Sequence, residues 1–251
     1  PNHPDVPRAL IQAAVALECT SRFESASRLY QRVVDEVGPR RPSEETTQDQ
    51  LDGILALAYF RLAYTANRFF DYDRAVESYR VIADSERFAR STASSVPGIR
   101  TDALINAARI LEYQQQYSRA ADYYRRAAEA PGTDQPTRLS AYFRVAEMSF
   151  KRRDWNGTIR EMRGFIDRYQ RDTAAQELVV TAYWRIAQAR HEMNQVRDYR
   201  AALQDVVDAF ARSGQTPGSI AAEYAAQAKI ELVDPDGQAF ESFAMTGGSP
   251  A

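Results

Sequence analysis

LINAARILEYQQQYSRAADYY, residues 104–124, holds the pattern that decides the fold. Leu104, Ala107 and Ala108 are spaced three and four apart, which puts them on one face of an α-helix. Tyr117, Ala120 and Tyr124, at i, i+3 and i+7, share one face of a second helix. Both phrases recur along the chain. The first returns as Leu10–Ala13–Ala14, Tyr59–Leu62–Ala63, Tyr142–Val145–Ala146 and Tyr183–Ile186–Ala187. The second returns as Phe23–Ala26–Tyr30 and Tyr72–Ala75–Tyr79, with substitutions as Trp155–Thr158–Met162, and in degenerate form as Val196–Tyr199–Leu203. In all five units the small position of the second phrase follows that of the first by twelve residues.

The residue types have a physical reason. Small side chains are needed where two helices cross, because a larger one would push the backbones apart. Rings fill the space around each crossing. One hairpin cannot bury its apolar face alone, so the next hairpin must cover it.

With this pattern the chain resembles the tetratricopeptide repeat family over residues 8–213. That family carries an aromatic, Leu-Gly and Tyr in helix A, and Tyr, Ala, Phe and Ala in helix B. Here Ala14, Ala63, Ala108, Ala146 and Ala187 stand where the family usually has Gly. The units are spaced by 49, 45, 38 and 41 residues, longer than the usual 34. Longer units with phrases such as Phe165-Ile-Asp-Arg-Tyr169 are similar to the periplasmic tetratricopeptide lipoproteins of bacterial envelopes. The expected fold is all-α: a right-handed α-solenoid of about five hairpins with a C-terminal capping helix, together spanning 8–233. The units are expected near 8–37, 49–87, 99–130, 135–169 and 173–213, with the capping helix at 217–233. Gly38–Gln50 and the Ser-rich run Phe88–Gly98 read as loops, and Thr173-x-x-Gln176 as a capping box. Residues 234–251 read as a partly disordered tail or linker. The start at Pro1 without Met, and the Gly-Gly-Ser-Pro near the end, suggest a segment of a longer protein or a processed form.

Composition narrows the function. Net charge is −2, so no global field recruits nucleic acid or an anionic membrane. Arg outnumbers Lys by 30 to 2, which reads as a coding bias rather than a function. No run approaches the roughly 18 apolar residues of a membrane span; Leu51–Ala66 is interrupted by Gly53 and Arg61. The two histidines, His3 and His191, offer no zinc spacing. Cys19 reads as an ordinary semi-buried thiol, and Asn156-Gly157-Thr158 as a packing segment rather than a glycan acceptor. No phosphate loop or catalytic constellation is present, so no cofactor, metal or catalytic residue is expected.

The resemblance implies that helix A lines a concave face, at set offsets from its small residue. Carried over, it gives Phe60, Tyr64, Arg68, Arg109, Tyr113, Phe143, Phe150, Trp184 and His191 as candidate contacts for a protein or peptide. The other reading of these rings is that they pack neighbouring units together. Asn67 and Arg68 echo the family's carboxylate clamp, but Glu18 stands where a basic residue is needed. The expected function is a non-catalytic interaction scaffold, in a periplasmic or envelope-associated complex. The alternatives are a spacer or self-assembling module, with homo-oligomers, and an enzyme or glycan-binding module on a helical solenoid.

Overall fold

Two helices approach closely only where the side chains between them are small. A computed structural model describes residues 5–44 and 46–246. In it Ala14, Ala63, Ala108, Ala146 and Ala187 are buried, as are their counterparts Ala26, Ala75, Ala120 and Thr158. Thr158 fits because its hydroxyl donates to the Asp154 carbonyl at 2.9 Å. Tyr199, the fifth counterpart, is half-buried.

The chain forms two units, Pro1–Ala141 and Tyr142–Ala251. The first contains the hairpins α1 (Val6–Cys19) with α2 (Phe23–Val37), α3 (Gln48–Arg68) with α4 (Tyr72–Asp84), and α6 (Val96–Tyr113) with α7 (Tyr117–Glu129). A short helix, α5 (Glu86–Arg90), precedes α6, and α8 (Gln135–Lys151) begins in this unit. Helix α3 covers α2, and α6 covers α4. The second unit holds the rest of α8 with α9 (Trp155–Tyr169), then α10 (Gln176–Glu192) with α11 (Val196–Ser213), and α12 (Ile220–Thr246). Helix α10 covers α9, and α12 packs on both α10 and α11. Among the described residues there is no strand, so the expected all-α hairpin architecture is the observed one.

Every hairpin turns in the same way. The middle turn residue lies seven positions after the small residue of helix A: Ser21, Phe70, Gln115, Arg153 and Asn194, with φ from 54° to 61°. The next amide bonds back to the helix. Arg22 reaches the Leu17 carbonyl at 2.8 Å, Asp71 reaches Ala66 at 3.0 Å, and Gln116 reaches Leu111 at 2.8 Å. Asp154 to Ser149 and Gln195 to Arg190 close at 3.0 Å each. These bonds satisfy carbonyls that the helix end leaves free. Glycine is the usual residue for such a left-handed position, yet none of the five is glycine, and of these residue types only Asn adopts it readily.

The structure departs from the sequence reading at four places. Helix α4 stops at Asp84, where an extended Ser85 lets α5 bury Phe88 edge-on against Tyr59, 6.5 Å between centroids. Pro97-Gly98 lies in the first turn of α6, where a proline costs no hydrogen bond. Thr173 does not form the capping box. Asp172, one residue earlier, accepts from the Ala174 amide at 3.0 Å, and Gln176 donates to the Asp172 carbonyl at 2.8 Å. The reciprocal box forms at α3 instead, between Thr47 and Gln50. Finally, α12 runs from Ile220 to Thr246, into the segment read as a tail; 247–251 lie outside the described residues. Tyr224 and Ala228 continue the helix-A pattern, with Ala228 41 residues after Ala187 and fully buried. The turn position would then fall on Pro235, whose ring forbids positive φ, and the helix continues instead of turning.

Arginine joins one hairpin to the next. In the first unit Arg100 and Arg126 both donate to the Ala83 carbonyl at the end of α4, Arg126 also reaching Asp84. Arg87 bridges buried Asp52 and the Gly38 carbonyl. Arg61 pairs with Glu18 at 3.1 Å. In the second unit Arg185 of α10 pairs with buried Glu147 of α8 at 2.7 Å, donates to Gln188 and lies over the Phe150 ring. The arginine excess therefore has structural work that a coding bias does not describe. A forked guanidinium can hold two acceptors at once, which an ammonium cannot do in a plane.

Two outcomes follow. Gln115→Gly should raise stability to urea by about 0.5–1 kcal/mol by relieving the left-handed backbone, and Gln115→Val should lower it. Arg185→Ala should lower stability by about 2–4 kcal/mol by stranding the Glu147 carboxylate, with Arg185→Lys restoring only part of it.

Candidate interaction surface

Exposure sorts the candidate contacts by their offset from the small residue of helix A. Three residues before the small position, Phe143 is 8% exposed and Trp184 is 4% exposed. Phe143 packs edge-on against Phe165, 5.5 Å between centroids, and Trp184 stacks on Tyr224 of α12 at 5.4 Å. Both are core residues, which corrects their reading as open contacts. Phe60 at the same offset is half-buried against Tyr79 at 5.4 Å. Burial raises the Tyr79 phenol far above its ordinary pKa, with Asp102 a further cause.

Residues at later offsets emerge. In the first unit Tyr64 is 37% exposed, Arg109 is exposed, and Tyr113 is 72% exposed. Arg68 is exposed with its guanidinium over the Phe23 ring, 5.4 Å from the centroid. In the second unit Phe150 is half-buried against Trp155 at 5.5 Å. His191 is exposed at one edge and contacts Tyr199 at 4.9 Å. Cys19, at the end of α1, is exposed rather than semi-buried, because it occupies the last of these offsets.

The acids four residues after the small position serve the hairpin. Tyr124 donates to Glu112 at 2.7 Å within the third hairpin. The first hairpin has Tyr30 and Glu18 at the same positions, and burial, then Glu18, raise the Tyr30 phenol strongly. Glu18 also takes Arg61 of the next hairpin. Its charge is thus engaged, and the carboxylate-clamp arrangement does not form at this position.

The first unit also exposes rings that sequence reasoning missed. Phe69 is 52% and Phe70 is 76% exposed, both in the turn after α3. Phe69 meets Phe23 at 6.2 Å, Phe70 meets Tyr72 at 6.2 Å, and Tyr72 meets Tyr113 at 5.3 Å. Together with Arg68 they make an aromatic edge at the turns of three consecutive hairpins. Two adjacent Phe in a three-residue turn was the available signal, since a turn offers no core to receive them.

Two carboxyl groups on helix flanks are raised above their ordinary pKa. Burial first, then Asp208, raises the Asp205 carboxyl, with Arg163 and Arg212 opposing. Burial likewise raises Asp102, with Arg109 opposing. Each is mainly a desolvation effect on a helix flank. Among the described residues no group of three or more His, Cys, Asp or Glu could hold a metal, and no helix is long and apolar enough to cross a membrane.

Models of the tetratricopeptide repeat match residues 103–137 and 181–213. These segments contain most of the third and fifth hairpins. No curated protein sequence matches the chain. Among solved structures, a putative kinesin light chain of Podosopora anserina with nearly identical TPR-like repeats is 16% identical, with a TM-score of 0.51. That match covers 86% of this chain and 100% of the other. The apo form of RapI is 10% identical with a TM-score of 0.52, covering 96% of this chain and 74% of the other. At such identities the likeness is one of fold. The chain is thus an all-α protein of helical hairpins, two segments of which match models of the tetratricopeptide repeat.

Proposed function

We propose that the chain is a non-catalytic scaffold that binds a protein or peptide partner through the ring-bearing surface of its first unit. The observation that carries this reading is the set of exposed rings Tyr64, Phe69, Phe70 and Tyr113, of which Phe70 and Tyr113 are joined through Tyr72 and Phe69 meets Phe23, with Arg68 over the Phe23 ring. Large exposed aromatic patches are uncommon on monomer surfaces, and rings with Arg are the residue types that dominate interface energies. None of these four rings is needed to fill a helix crossing, so they can be changed without opening the core. Membership of a periplasmic or envelope complex is a further proposal, supported by the sequence resemblance alone.

A second reading, self-assembly or spacing within a larger protein, draws on Ile230 and Val233, exposed one turn apart on α12. Sedimentation would favour it if mass rose with concentration and fell back in Ile230→Ser/Val233→Ser.

The decisive comparison is affinity capture from source-cell lysate by wild type and by Tyr64→Ser/Phe70→Ser/Tyr113→Ser, with circular dichroism verifying equal helix content. The expected result is a partner retained by wild type and reduced at least about tenfold by the variant, since hot-spot rings each contribute on that scale. Equal retention would move binding off this surface.

A further inference from the structure

The second unit contains a cavity between α8, the start of α9, α10, α11 and α12. Its walls include the rings of Phe150, Trp155, Trp184 and Tyr199. Their neighbours hold them in place: Trp155 lies edge-on to Phe150, Trp184 is stacked on Tyr224, and Tyr199 meets His191. Into the same space come two carboxylates, Glu192 and Glu231, and two amides, Gln188 and Gln227. Gln227 donates to Glu231 at 3.0 Å. Among the described residues no Arg or Lys lies within ion-pair distance of either carboxylate, whereas Glu147 and Asp198 nearby are paired with Arg185 and Arg190.

The chemistry of this lining selects a cation. Ring faces carry partial negative charge and attract an ammonium or guanidinium. Helix α10 ends at Glu192, so the negative end of its dipole lies there as well. Burial raises the Glu231 carboxyl above its ordinary pKa, with His191 opposing. A partly desolvated carboxylate gains more from an arriving cation than a hydrated one does. The unit already contains one such arrangement: Arg185 lies over Phe150 at 4.7 Å while bonded to a Glu carboxylate and a Gln amide. Planar, multiply donating guanidinium suits rings, carboxylates and amide oxygens together better than ammonium.

We propose that this cavity receives an arginine side chain of the partner polypeptide, its guanidinium lying among the rings of Trp155 and Tyr199 and paired with Glu192 and Glu231. This rests on the reading of the chain as a protein-binding scaffold and adds the charge of what it binds.

The chain has two tryptophans, Trp155 and Trp184, and both line the cavity, so intrinsic fluorescence reports on it directly. The whole chain is titrated with the acetylated, amidated tripeptide Ala-Arg-Ala and with the same peptide carrying citrulline, which keeps the shape and removes the charge. The arginine peptide should give a saturable change with a dissociation constant of roughly 1–10 mM, and citrulline should bind at least about fivefold more weakly. Glu192→Gln/Glu231→Gln should weaken arginine binding by about fivefold or more at unchanged helix content. Any of three results overturns the proposal: no saturable change up to about 50 mM, equal binding of citrulline, or an unaffected double variant. Failure here with a partner still lost on changing Tyr64, Phe70 and Tyr113 would remove the arginine site and leave the scaffold reading standing. Arginine binding without any such partner would do the reverse.

Discussion

The close crossing of helix A over helix B, which admits only small side chains, is the constraint on which each hairpin depends. Ala63, Ala75, Ala108 and Ala120 have no exposed surface left. Dispersion contacts fade quickly with separation, so a larger side chain there would weaken the whole contact between the helices. The exceptions obey the same limit. Thr158 is admitted because its hydroxyl is bonded to the carbonyl four residues back. Tyr199 is too large for a crossing and lies half out of it, beside His191.

Once the crossings are fixed, the turns have little freedom. Five different residues, among them an Arg and a Phe, accept a left-handed backbone because the helices on both sides over-determine it. The backbone repeats more faithfully than the sequence does. The ties between hairpins are more varied and rely on guanidinium groups, which reach the carbonyl ends of helices as well as buried carboxylates. Helix C-termini are negative, so a cation at a free carbonyl satisfies a hydrogen bond and the dipole together.

The same geometry governs where a partner can touch. In the first unit the residue that ends helix A and those in the turn after it reach solvent, as Arg68, Phe69, Phe70 and Tyr113 do. Tyr113 and Arg68 emerge, whereas Phe143 and Trp184, equally aromatic in the sequence pattern, are covered. In the second unit α12 covers Trp184 through Tyr224 and simultaneously closes one side of a cavity that a bare hairpin would leave open.

The all-α hairpin architecture and the small buried residues were legible in the amino-acid order, because helical periodicity and steric size are local properties. Ala14, Ala63, Ala108, Ala146 and Ala187 could be named from spacing alone. The candidate surface was legible only in part. Of the expected contacts, Tyr64, Arg68, Arg109 and Tyr113 are exposed, whereas Phe143 and Trp184 are buried, and the exposed Phe69 and Phe70 were not among them. Nor did the order of residues mark the five left-handed turns, since no glycine announces them. Exposure depends on which neighbouring helix arrives to cover a side chain, and that is a property of packing between segments about 40 residues apart, which a local pattern does not contain.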